Sequence, residues 1–193
     1  MGPSTHTITA FVIDKPGVLN RVTSMFRRRG FNIVSLAVGH SEVPGLSRMT
    51  FVAEGDDYTV DQITKQLRKL IDVIEVTVIA KENYVSRELA LIKVKADAQS
   101  RGEIMQIVEI FRSNIIDVSD QSIVVEVTGD QHKIESLCKL LDPFGIVELM
   151  RSGMIAMNRG GTGSSEEVLA FKDNGLNKGI SLHQDKFSET GSV

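Results

Sequence analysis

Apolar and polar positions along the 193-residue chain follow two rhythms, and the same order of rhythms occurs twice. Thr7 to Ile13 reads as a strand. Val18, Leu19, Val22, Met25 and Phe26 then fall at i, i+1, i+4, i+7 and i+8, one face of a helix. Pro16 falls near its first turn, where a missing N–H costs nothing, and Gly30 falls just past its end. Strands Phe31 to Val38 and Leu46 to Ala53 follow, joined by a loop holding Pro44-Gly45, the central pair of a type II turn. Val60, Ile63, Leu67, Leu70 and Ile71 mark a second helix, with Thr59 and Gln62 as its capping box, and Val73 to Ala80 closes the unit as a strand.

After Lys81-Glu82-Asn83-Tyr84 the order starts again. Leu89 to Ala96 is a strand, and Ile104, Ile107, Val108 and Phe111 form a helix face opened by a Ser100 and Glu103 box. Ile115 to Val118 and Ile123 to Thr128 are strands, Ile134, Leu137, Cys138 and Leu141 give the fourth helix, and Ile146 to Met157 gives the last strand. The architecture repeats, with little visible identity between the halves. The pattern predicts an α+β chain of two tandem ferredoxin-like βαββαβ domains, each an antiparallel sheet with its helices on one face. The expected boundaries are 5–81, 82–159 and a flexible tail, 160–193, too rich in Gly, Ser, Asn and Lys to hold a core. Val168, Leu169 and Phe171 are the apolar positions there that would dock a short helix on a partner.

Composition narrows the function by exclusion. A hydrophobic content of 41% supports folded cores, no run reaches the length of a membrane span, and the start lacks a secretory pattern, so the expected compartment is the cytoplasm. The Met1-Gly2 start fails the myristoylation pattern at His6. The one cysteine, Cys138, sits on a helix face and reads as a small packing residue. A net charge of −3 opposes general nucleic-acid binding, and Arg27, Arg28 and Arg29 complement the carboxyl end of the first helix. An RNA-recognition domain shares this strand order, but Phe11 and Phe51 would be its only stacking aromatics. His6, His40, His132 and His183 have no metal-ligand spacing, so no metal site is expected. No catalytic motif or nucleotide-binding loop is present in the sequence.

What remains is the stretch Asp14-Lys15-Pro16-Gly17 before the first helix. A helix start carries free N–H groups and a partial positive charge, and Gly17 has no side chain to shield them from a carboxylate. Asp14 would suit an ammonium group and Asn32 would supply an amide, which together describe a site for an amino-acid zwitterion. The same residues also read as ordinary turn and cap chemistry, and the residues alone leave both readings open.

The stretches DKPGVLNRVTSMFRRRGFNIVSLAVG, PGLSRMT, RELALIKV, EIFRSNIIDVS and VELMRSGMIAMNRG, collinear over roughly residues 6 to 159, resemble the small, regulatory subunit of acetolactate synthase, also called acetohydroxyacid synthase. The resemblance implies an amino-terminal ACT domain that binds valine, with leucine or isoleucine as alternatives. It implies a dimer through the ACT domains, with the effector between the first strand-to-helix loop of one chain and the second strand of the other. Carried onto this sequence, the effector site comprises Asp14, Pro16, Gly17, Val18, Leu19, Asn32 and Ile33. The family often has Asn at the position of Asp14, which bears on the ammonium contact. The resemblance further implies that thiamine diphosphate, magnesium and FAD belong to a large catalytic subunit, which this chain activates and makes sensitive to valine. The chain itself is then expected to carry no cofactor and no catalytic residue. A free-standing amino-acid sensor acting on another enzyme or on transcription is the alternative with the same fold and ligand.

Overall fold

The computed structural model describes residues 4–80, 84–160 and 168. It divides into two compact units, one of residues up to Tyr84 together with those from Met157 on, the other Val85–Ala156.

The first unit runs β1 (Thr5–Ile13), α1 (Val18–Arg29), β2 (Ile33–His40), β3 (Leu46–Glu54), α2 (Asp57–Leu67) and β4 (Val73–Val78), with all strand pairs antiparallel and the order β2-β3-β1-β4. Alternation along β1 sends Ile8, Ala10 and Val12 toward the helices, where they meet Val22, Met25 and Phe26 of α1 and Ile63 and Leu67 of α2. Phe26 stacks on Phe51 at 5.3 Å between ring centroids and meets Phe31 edge-on at 6.2 Å. Removing the Phe26 ring would cost about 3–5 kcal/mol, as emptied aromatic sites do. Gly30 ends α1 at φ 70, its amide bonded to Arg27 and that of Phe31 to Phe26, so the glycine supplies the left-handed residue of a Schellman motif.

Two details of α2 differ from expectation. Its cap is Asp56, whose carboxylate accepts the Thr59 amide at 2.8 Å, so the helix begins before the Thr59 and Gln62 pair and no capping box forms there. The helix also stops at Leu67. Leu70 packs on the core from the following turn, whereas Ile71 is 85% exposed.

The second unit contains β5 (Tyr84–Lys95), α3 (Arg101–Ile110), β6 (Asn114–Val118), β7 (Ser122–Gly129), α4 (Gln131–Leu141), β8 (Ile146–Arg151) and β9 (Ile155–Asn158). Its sheet order, β6-β7-β5-β8 with β9 also on β5, repeats that of the first unit. Ile92, Ile123 and Val125 face Ile104, Ile134 and Leu137 in its core. Cys138 packs beside that core, and burial pushes its thiol pKa up, as a packing role requires. The strand expected over Ile146 to Met157 is broken in two, with Gly153 at φ 81 in the gap. Ser100 stands at the head of α3 without making a side-chain cap bond, because its hydroxyl is held by Asp97. Among the described residues no helix is long and apolar enough to cross a membrane.

Candidate functional site

The stretch between β1 and α1 is a tight turn built on a left-handed glycine. Lys15 N bonds Ile13 O at 3.1 Å, and Gly17 precedes the helix at φ 87, ψ −11. An L-residue would be strained there by about 1–2 kcal/mol. A Cβ at Gly17 would meet nothing within 4 Å, so the backbone faces open space. The helix has no side-chain cap and no acid in its first turn. The Val18 amide reaches Lys15 O only at 3.4 Å, and the amides of Leu19 and Asn20 have no backbone acceptor ahead of the helix among the described residues.

The other three helices are opened differently. Asp56 caps α2 and Asp130 caps α4, its carboxylate taking the Lys133 amide at 2.8 Å. Before α3, Asp97 Oδ1 accepts the amides of Gln99 at 3.0 Å and Ser100 at 2.8 Å and the Ser100 hydroxyl at 2.8 Å. The Ser100 bonds first, then that of Gln99, hold the Asp97 carboxyl below its usual range, and the Thr59 contacts do the same for Asp56. Among the described residues a carboxylate of the chain thus stands at the starts of α2, α3 and α4, and none stands at the start of α1.

The loop is nonetheless rigidly held. Asp72, in the turn before β4, lies under Lys15 and Arg21. Lys15 Nζ is 2.6 Å from Oδ1, and the Arg21 guanidinium bonds Oδ2. The contact with Lys15 first, then the charge of Arg21, lowers the Asp72 pKa against the opposing cost of burial. Its carbonyl accepts the Ile13 amide at 2.9 Å. The Val43–Leu46 turn adds a second brace, because Gly45 at φ 80 presents its carbonyl to the Asp14 amide at 2.8 Å. Asp14 Oδ2 itself lies 3.1 Å from His40 Nδ1.

The seven expected site residues do not gather within one chain. Asp14, Pro16, Gly17 and the 45%-exposed Leu19 share the loop and helix start. Val18 is turned into the core and offers only its backbone. Asn32 and Ile33 stand at the far end of the sheet. Ile33 pairs with Ala53 and Ala53 with His6, whereas the loop follows Ile13, paired with Leu46. At about 3.3 Å per residue that separates Asn32 from Gly17 by roughly 20–25 Å. Within one chain, then, Asn32 does not flank Gly17, because β2 begins at the end of the sheet where α1 stops. Asn32 Nδ2 instead bonds Glu54 at 3.1 Å, and the second unit repeats the pair as Asn114 on Glu126 at 3.2 Å. The open grooves of about 780 Å3 along β4 and about 560 Å3 between α3 and β6 lie elsewhere.

Sequence reasoning missed Asp72 and His40 as neighbours of the loop. Asp72 carried a faint signal, an acid set between apolar pairs in LIDVIEV, while His40 carried none. Among the described residues no group of three or more His, Cys, Asp or Glu is placed to hold a metal, and His183 lies outside them. The RNA-recognition reading lacks its platform. Phe51 is fully buried against the helices, and Phe11 is covered, with the Arg48 guanidinium 4.2 Å above its ring.

Two βαββαβ units of identical strand order, with helices on one face of each sheet, define an ACT-type, ferredoxin-like fold. Residues 8–75 match the family model described as AHAS small subunit-like ACT domain, and residues 87–160 match that of the small subunit of acetolactate synthase. The acetolactate synthase small subunit of Mycobacterium bovis is 54% identical over 163 residues, covering 84% of this chain and 97% of that protein. That of Mycolicibacterium smegmatis is 52% identical over 162 residues, with 84% and 95% covered. The crystal structure of the small subunit from Thermotoga maritima superposes with a TM-score of 0.77 at 47% identity, covering 82% of this chain and 99% of that one. The chain belongs to the family of acetolactate synthase small subunits, the regulatory component of that enzyme.

Proposed function

We propose that this chain activates the large, catalytic subunit of acetolactate synthase and makes it subject to feedback inhibition by valine, the end product of the pathway that begins with 2-acetolactate. Two chains pair through their ACT domains, and valine lies between the α1 start of one chain and Asn32 of the partner subunit. Its carboxylate meets the amides around Gly17, its ammonium group lies toward Asp14 and the partner's Asn32, and Leu19 offers apolar contact for the branched side chain. Leucine and isoleucine are the alternative effectors. Thiamine diphosphate, magnesium and FAD reside on the large subunit, and the assembly works in the cytoplasm.

The observation that carries this reading is the contrast between helix starts. Among the described residues a carboxylate of the chain stands at the starts of α2, α3 and α4, while the braced start of α1 has none, and the amides of Leu19 and Asn20 have no backbone acceptor ahead of them. Free amides and the helix dipole together favour an external carboxylate. The separation of Asn32 from Gly17 within the chain supports a site that closes only in a dimer. Valine regulates by binding one arrangement of the pair more tightly than another, and a typical coupling of about 1–3 kcal/mol changes activity several-fold. The test is reconstitution with the large subunit encoded in the same genome. Added small subunit should raise acetolactate formation, and valine should lower it again, while lysine should not. Absence of both effects would reject the proposal.

A further inference from the structure

The face of the first sheet turned away from α1 and α2 carries a second apolar cluster. Alternation puts Phe11 and Ile13 of β1 and Leu46 of β3 on this face, Val43 joins from the β2–β3 turn, and Ile74 from the start of β4. Phe11, Val43 and Leu46 are buried, and the residue packed against them is Val168, which is helical and has no exposed surface. The expectation that Val168 docks on a partner is therefore corrected: it docks on its own chain. Leu169 and Phe171 lie outside the described residues. A second contact marks the return of the chain, Arg159 Nε donating to the Tyr84 carbonyl at 3.1 Å, and the described residues from Met157 to Gly160 group with the first unit.

This cluster sits under the bonds that fix the α1 loop. Val43 and Leu46 are the two ends of the turn closed by Leu46 N on Val43 O at 3.1 Å. Gly45, between them, accepts the Asp14 amide, and Ile13, which packs on the cluster, immediately precedes Asp14. Ser41 Oγ adds a bond from the Val43 amide at 3.1 Å. Displacing Val168 would expose the apolar underside of that turn while leaving the helix-side core of the unit, which shares no member with this cluster, in place.

We infer that Val168 acts as an intramolecular strap: it packs on Phe11, Val43 and Leu46, holds the Asp14–Gly17 loop in its ligand-ready form, and thereby sets effector affinity. The last clause rests on the proposed effector role of that loop. The first does not.

Amide hydrogen exchange on the full chain separates the two. In Val168→Asp the amides of Asp14 and Leu46 should exchange about tenfold faster than in the parent, the factor that the loss of one buried valine allows. Amides of Ile92 and Val125, in the second unit, should be unchanged. Val168→Ala should move the same amides in the same direction by less, and it serves as the readout if the aspartate variant does not fold. Valine affinity by calorimetry should weaken by a similar factor. Unchanged exchange at Asp14 and Leu46 in a folded variant would overturn the strap, and faster exchange with unaltered valine affinity would overturn its regulatory role. If the parent protein itself gives no heat with valine, the effector reading fails, and the exchange comparison still decides whether the strap braces the loop.

Discussion

Substituting Gly17 by aspartate perturbs the loop in two ways that the structure allows to be separated. The first is conformational. At φ 87 a residue with a Cβ is strained by about 1 kcal/mol, and because that Cβ meets open space the strain is not compounded by a clash. Gly17→Ala isolates this effect and should weaken valine by about fivefold. The second is electrostatic. A carboxylate held about 4 Å from that of the ligand repels it by about 1 kcal/mol at the dielectric of water and about 4 kcal/mol at the effective value of a protein surface. Together the two terms amount to about 2–5 kcal/mol, a loss of affinity on the order of 30- to 5,000-fold. The assay is the valine inhibition curve of the reconstituted enzyme, with a thermal melt to show that both variants remain folded. Gly17→Asp should leave activation of the large subunit intact and shift the curve far beyond Gly17→Ala. Full valine inhibition through a folded Gly17→Asp chain would refute the reasoning.

Asp72→Asn should destabilise the first unit by about 1 kcal/mol at neutral pH, a modest figure because Lys15 and Arg21 are both partly in solvent. The folded-state pKa of Asp72 is depressed, so its contribution is present above the unfolded value near 3.8 and is lost as pH falls through the lower folded one. Denaturation between pH 7 and pH 2 should accordingly show a shallower acid limb in the variant than in the parent, and identical limbs would contradict the assignment. Asp97→Ala should lower the melting temperature of the second unit and leave valine inhibition unchanged, since it empties a helix start outside the proposed effector site. A valine response that vanishes in that folded variant would show that the two helix starts are not functionally distinct.

The helix faces were legible because burial there follows a single period. Val18, Val22, Met25 and Phe26 are the buried residues of α1, and Ile134, Leu137 and Leu141 those of α4. Strand order followed from the βαββαβ pattern in both halves. Caps were read less well. Both expected boxes were placed on a Ser or Thr followed by Glu or Gln, whereas Asp56 and Asp97, which hold the amides, stand three residues earlier. The Asp56 carboxylate takes the Thr59 amide and hydroxyl, and that of Asp97 takes the Gln99 and Ser100 amides and the Ser100 hydroxyl, and no periodicity reports that. Of the proposed effector site, the loop is legible and the placement of Asn32 is not. Pro16-Gly17 announces a turn and a helix start, but the pairing register that sends Asn32 to the opposite end of the sheet depends on strand direction. Asp72, which pairs with Lys15 of the loop, and Val168, which packs on the strand ends beside it, lie 55 and 151 residues beyond Gly17, and local pattern says little at that range.

The central claim is that a small branched amino acid is held by its carboxylate at the α1 start, across two chains. A crystal structure grown at a valine concentration that fully inhibits the reconstituted enzyme tests it most directly. The account predicts valine with its carboxylate on the amides around Gly17 and the partner's Asn32 in contact with the same molecule. Density that is empty there, or filled by a side chain of the protein itself, would contradict it.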